Sequence, residues 1–305
     1  MTDYFSDRES DPKPRTVETI FPVVWGGVVA LVQSLVSNGA FAPKFPVMCP
    51  DGAGTTGTDD NAISLAIRAE MPGLAWPLET TARVSAGFFS EEQPFAPDPL
   101  LILDFIEFCH RSVAKPIQGA YHSFFRHYHL KFDEEAGKSE FREDVNRIFA
   151  RNGVAFELCP NGRFMRLLSP ILGPGLSTAL FRTGDITLDS MLEESRSKFL
   201  SPDPKIRREA IERLWDCWER IKSLEDPGHK RQSIAALLDI AAKDPAFRNL
   251  LDDEASALTE IGNSFHIRHS EVTQTAFTDS AHVDYLFHRL FSIIQLLLQK
   301  RSVES

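Results

Sequence analysis

Residues 203–224 read DPKIRREAIERLWDCWERIKSL. Asp203 followed by Pro204 predicts a helix start. The carboxylate can accept from free first-turn amides, and proline at the first helical position loses no hydrogen bond. Ile206, Ala210, Leu214, Trp218 and Ile221 then recur at three- and four-residue steps and share one apolar stripe. Charged residues fill the other sides, so the stretch predicts a long amphipathic helix that must bury its stripe against other helices.

The same periodicity extends outward on both sides. It predicts helices over 188–200, 230–242, 245–266 and 281–301. In the last of these, Tyr285, Arg289, Ile293 and Leu297 form one broad face with Leu286, Leu290 and Ile294. Phe287, Phe291 and Leu298 form a second. A helix apolar on most sides is buried on most sides, either at the centre of its own bundle or against a second copy. Gly173, Pro174 and Gly175 mark a boundary, with a linker over 173–186.

N-terminal to the linker the pattern is mixed. A polar lead-in over 1–18 is expected to be disordered. A helix over 20–37 is stopped by Asn38-Gly39. Residues 40–60 read as a loop, and Asp60 is a candidate cap for a helix over 62–70. A proline-interrupted stretch fills 72–99. Helices are predicted over 100–113 and 139–152, with an aromatic, histidine-rich segment over 120–133 between them. Asn161-Gly162 joins two β-prone runs and predicts a hairpin. A helix followed by a hairpin is like the end of a winged-helix unit. The expected fold is mainly α, with an N-terminal α+β domain over 19–172 and a C-terminal helical bundle over 187–301.

Length and composition fit two ordinary domains: 305 residues, 43% hydrophobic and 25% charged. The net charge of −10 argues against non-specific nucleic-acid binding. The charge is uneven. Residues 204–305 carry 14 Lys/Arg against 16 Asp/Glu, and the rest carry 19 against 27. A basic patch is therefore easier to build in the C-terminal part. Cys49, Cys109, Cys159 and Cys217 are widely spaced, which points to free thiols in a reducing cytoplasm. The apolar run at 20–36 is short for a membrane span, and the acidic residues before it do not suit a secretion signal. A cytoplasmic location and no membrane partner are expected.

Several motifs are weighed and set aside. Gly52-Ala-Gly54-Thr-Thr-Gly57 matches a dinucleotide pattern, but Pro50-Asp51 interrupts the strand that should precede it, so a flexible loop is expected. Asp51, Asp59 and Asp60 lack the spacing of a calcium loop. Asp104 and Glu107 read as a solvated helix face. His122, His127 and His129 cluster, with His110 upstream. On a strand His127 and His129 point the same way. No cysteine or carboxylate stands near them at a familiar metal-site spacing, so packing among aromatics and backbone carbonyls is expected. No metal and no cofactor are predicted.

Three spaced segments carry a resemblance: Ala210-Ile-Glu-Arg-Leu-Trp-Asp-Cys-Trp-Glu-Arg-Ile-Lys222, Leu258-Thr-Glu-Ile-Gly-Asn-Ser-Phe-His-Ile-Arg-His-Ser-Glu271 and Val283-Asp-Tyr-Leu-Phe-His-Arg-Leu290. Together they resemble the HEPN-like C-terminal bundles of bacterial abortive-infection proteins. Phe105-Ile-Glu-Phe108, Tyr121-His122, His127-Tyr-His129, Phe141, Val145-Asn146 and the hairpin resemble the N-terminal domains that accompany such bundles, AbiJ-like ones included. The resemblance implies an antiviral-defence protein, a candidate endoribonuclease with an RNA substrate, and a homodimer through the bundle. HEPN ribonucleases use Arg-x4–6-His, the arginine steadying the phosphoryl transition state and the histidine moving a proton at the ribose 2′-oxygen.

Arg268 stands in the matching place, but Thr273, Gln274 and Thr275 occupy the positions of the second histidine. The candidate catalytic set is therefore Arg268, His269, His266, Glu271 and Glu260. Two alternatives stay open: a buried pair locking the bundle, and a contact with a second copy or an unknown protein partner. An inactive interaction or sensor module, or a winged-helix-like nucleic-acid reader, are the competing functions.

Overall fold

In the computed structural model, which describes residues 5, 9, 13–86, 89–168, 173–264 and 279–304, the chain divides into two units, Met1–Ser169 and Pro170–Ser305. The chain is mainly helical, and among the described residues its β structure lies in the first unit.

The first unit begins with α1 (Pro22–Ser37), which has proline in its first turn and ends where Gly39 takes φ +87°. That left-handed geometry is one glycine adopts without steric cost. Val24, Trp25, Val28 and Val32 of α1 have no exposed surface, and the Trp25 indole donates to the Glu79 carbonyl at 2.8 Å. Strands β1 (Pro46–Met48) and β2 (Thr55–Thr58) follow. They correct the expectation of a loop over 40–60. Helix α2 (Asp60–Glu70) is capped by Asp59, one residue earlier than predicted. Strands β3 (Thr81–Ala86) and β4 (Phe89–Pro94) pair as an antiparallel hairpin inside the stretch read as proline-interrupted.

Helix α3 (Pro99–Ser112) starts at a proline and is capped by Asp98. The aromatic, histidine-rich segment then forms the end of β5 (Lys115–His122) and all of β6 (His127–Asp133). An antiparallel sheet runs in the order β1-β2-β6-β5. Helix α4 (Glu134–Arg151), capped by Asp133, buries Phe141, Val145 and Phe149. The predicted hairpin is β7 (Phe156–Leu158) and β8 (Phe164–Arg166), with Gly162 at φ +79°.

The lead-in expectation fails at its end. Val17 pairs with Val154, Arg15 donates to the Val154 carbonyl at 3.0 Å, and Glu18 accepts from buried Arg166 at 2.9 Å.

Asn146 of α4 acts as a strand edge for this hairpin. Its amide donates to the Leu158 carbonyl at 2.9 Å and accepts from the Leu158 amide at 2.8 Å. Leu158 is fully buried, so losing both partners strands two backbone groups. Asn146→Ala is expected to cost about 1–3 kcal/mol, measured by urea unfolding. Asn146→Gln, which keeps the amide but lengthens the reach, restores little of it.

The second unit holds the short α5 (Gly173–Ser177) and then α6 (Ile186–Phe199), α7 (Pro204–Ile221), α8 (Lys230–Ala241), α9 (Pro245–Ser264) and α10 (Ser280–Glu304). Asp203 caps α7 as its sequence predicts, accepting from the Lys205 amide at 2.8 Å. The stripe Ala210, Leu214, Trp218 and Ile221 is buried, while Ile206 is 36% exposed. Phe199 and Phe287 stack face to face at 3.7 Å, joining α6 to α10.

Arg207 is buried inside this unit. Its guanidinium donates to the Ser201 and Pro202 carbonyls and to the Ser280 hydroxyl, at 3.1, 2.7 and 2.9 Å. It thereby ties the α6–α7 turn to the start of α10. On α10, Ile293 and Leu297 are buried within the unit and Arg289 forms a two-point ion pair with Glu254 at 2.7 and 2.8 Å, while Tyr285 is 61% exposed. Among the described residues, no helix is long and apolar enough to cross a membrane.

Candidate functional site

The donor-rich place in the first unit is built by strand pairing. His122 at the end of β5 lies directly opposite His127 at the start of β6. Alternation puts His127 and His129 on one face of β6. The chain leaves β1 through a tight turn in which the Cys49 amide donates to the Gly54 carbonyl at 2.7 Å and the Gly52 amide donates back to the Cys49 carbonyl at 2.8 Å. Gly52 sits at φ +76°. This turn carries Cys49 and Asp51 to the three histidines.

One donor atom each from Cys49, His127 and His129 lie within 4.8 Å of one another, and the same holds for Cys49, Asp51 and His122. The His122 ring nitrogen Nε2 is 2.7 Å from Asp51 Oδ2. Ring centroids are 5.5 Å apart for His127–His129 and for His122–His129, and 5.8 Å apart for His122–His127. Phe125 stacks on His127 at 5.9 Å, so part of the expected aromatic packing is present. The expected backbone partners are not: Nε2 of both His127 and His129 is shielded from solvent and has no hydrogen bond. A Cβ at Gly54 would stand 2.8 Å from His129 Cγ, so a glycine is needed for the turn to approach this closely.

Local electrostatics favour an anion beside the thiol. The Asp51 carboxyl is held at about 2 by hydrogen bonds from the Cys49 thiol, the Ala53 amide and His122. Burial pushes the Cys49 thiol up, and the neighbouring Asp51 adds to this.

The sequence groups the three histidines, but it sets Cys49 among the free thiols and Asp51 beside Asp59 and Asp60. Asp51 and His122 are 71 residues apart, and no spacing rule links such positions. The available signal was the glycine-rich turn at 52–57, whose need for close backbone approach was read only against nucleotide binding.

An open cleft of about 650 Å³ lies elsewhere in this unit, lined by Asp104, Glu107, His110, Lys138 and Arg163 among others. Two of these side chains are committed to structure: Lys138 pairs with Glu134 at 3.2 Å, and Glu107 serves the hairpin. Glu107, expected on a solvated face, accepts from the Phe164 amide at 2.7 Å and holds the hairpin to α3. Burial, then the charges of Lys138 and Arg142, push the His110 imidazole down.

Of the predicted catalytic set, Glu260 is exposed near the end of α9. His266, Arg268, His269 and Glu271 lie outside the described residues.

Comparison with protein families matches residues 3–181 to AbiJ N-terminal domain 4. That is more than half of the chain. The chain belongs to the AbiJ N-terminal domain 4 family. No curated protein and no solved structure matches it.

The AbiJ domain spans the whole described part of the first unit and reaches α5. It therefore contains the Cys49–Asp51–His122–His127–His129 cluster. Membership associates the chain with abortive infection. It bears out the N-terminal, AbiJ-like part of the resemblance. The match falls on the N-terminal region, not on the C-terminal bundle where the HEPN-like segments were read.

Proposed function

We propose that this AbiJ-family chain is an abortive-infection effector whose C-terminal helical unit cleaves RNA in the cytoplasm. The observation that carries the reading is an AbiJ N-terminal domain joined on one chain to a second unit that is helical throughout its described elements. The HEPN-like sequence segments lie in that unit. In this reading Arg268 stabilises the charge that develops on the scissile phosphate, and His269 or His266 moves the proton. Glu271 or Glu260 orients the imidazole. The ribose 2′-hydroxyl is the nucleophile, so the step calls for no metal. Pairing of two bundles would bring two such sets together.

A second reading is favoured by one feature. Thr273, Gln274 and Thr275 stand where the pattern wants its second histidine. On that reading the bundle is an inactive interaction module that recruits a protein partner.

Induced expression in bacterial cells separates the two. The wild-type chain is expected to arrest growth, and Arg268→Ala and His269→Ala to relieve the arrest at least tenfold in colony count, with unchanged soluble protein. Arrest that persists in both variants supports the interaction module and overturns the nuclease.

A further inference from the structure

We propose that Cys49, His127 and His129, completed by His122 or Asp51, bind a zinc-class transition-metal ion in the AbiJ domain. The reading goes beyond the proposed RNA cleavage and does not depend on it. It also revises the expectation, drawn from spacing alone, that the histidines only pack.

Three independent observations converge on it. The first is geometry. Zinc bonds to sulfur and imidazole nitrogen are about 2.3 and 2.0 Å long, so tetrahedral donors stand about 3.3–3.8 Å apart. The two donor sets here are each within 4.8 Å and share Cys49, so side-chain rotation about that common thiol is what closes them on one centre. The second is the state of the imidazoles. A buried ring nitrogen without a partner costs free energy. Nε2 of His127 and Nε2 of His129 are two such atoms, and each offers a lone pair once its other nitrogen carries the proton.

The third is the fit of the surrounding chain. Gly54 lets the Cys49 turn press against the His129 ring, where any side chain would collide. Strands β1 and β2 are short and contribute no buried side chain. A metal cross-link would pin the turn after β1 to the β5–β6 pair and so hold the sheet edge.

The chemistry of the donor set chooses the ion. Thiolate and imidazole select zinc and its neighbours over magnesium or calcium, which prefer oxygen. Binding releases the Cys49 thiol proton to solvent and forms the sulfur–metal bond. The thiolate and the Asp51 carboxylate together balance the dication. Protein ligands fill the shell, which is the arrangement of a structural site and not of a catalytic one. Where His122 takes the fourth position, Asp51 is the carboxylate that orients its ring, as partners of metal-bound histidines do.

The test uses the full chain without an affinity tag, purified from cells grown with added zinc. Elemental analysis is expected to find one zinc per wild-type chain. Cys49→Ser and His127→Gln are expected to fall to background, while Cys159→Ser keeps the metal. Cobalt(II) added to chelator-stripped wild type is expected to give tetrahedral ligand-field bands and a sulfur-to-cobalt charge-transfer band. That spectrum is read on the wild-type chain, so it stands even where a variant fails to fold. Wild-type protein that holds no zinc and gives no cobalt–thiolate band overturns the proposal. So does metal retained in Cys49→Ser and His127→Gln alike. Neither outcome touches the RNA-cleavage reading, which is decided at Arg268.

Discussion

Trp215→Ala is expected to lower the stability of the second unit by about 3–5 kcal/mol, the range for removing a large buried aromatic. Trp215 is 1% exposed. Its indole donates to the Leu258 carbonyl at 3.2 Å, so α7 and α9 share a hydrogen bond as well as a packed surface. The ring rests on Gly262. A Cβ there would stand 2.2 Å from Trp215 Nε1 and 2.4 Å from Cδ1. The substitution therefore removes the ring, the bond and the contact that positions the end of α9. Far-UV circular dichroism through a urea titration should show the helical transition moving to lower denaturant. Trp215→Phe keeps most of the volume and loses the donor, so it should recover more than half of the loss.

Gly137→Val should destabilise the first unit by about 3 kcal/mol, the upper part of the range for overpacking. A Cβ at this position of α4 would lie 2.3 Å from the Lys115 amide nitrogen and 2.4 Å from the Ala114 carbonyl carbon. Both are backbone atoms, which cannot rotate aside as a side-chain tip can. Gly137→Ala makes the sign diagnostic. In an open helix that change stabilises by about 1 kcal/mol. Here it should destabilise, because α4 must lift from the start of β5. Thermal unfolding of the two variants beside wild type gives the answer directly.

The helices were legible because their ends are written in the sequence. Asp203-Pro204 starts α7, Asn38-Gly39 stops α1, and Asn161-Gly162 turns the β7–β8 hairpin, each through a conformational need that few residues meet. Strands β1 to β4 were not legible, for a physical reason. Thr55-Thr-Gly-Thr58 and Phe89-Ser-Glu-Glu-Gln-Pro94 carry no apolar alternation, and they exist through pairing with neighbours distant in sequence or across a turn. The same non-locality hid two of the five residues of the proposed donor cluster. His122, His127 and His129 are neighbours in sequence, but Cys49 and Asp51 join them only through the sheet order β1-β2-β6-β5. In the second unit, burial follows the predicted stripe at Leu214 and Trp218. It also covers Arg207, 1% exposed, which periodicity places on the same face as Leu214 and Trp218 and whose charge chain carbonyls satisfy.

The most direct measurement of the proposed function is the integrity of cellular RNA after induction, compared between the wild-type chain and Arg268→Ala at equal expression. The expected result is fragmentation of RNA within the time that growth stops in wild type, and intact RNA in the variant. Intact RNA in arrested wild-type cells, or the same fragments in both, would contradict the account.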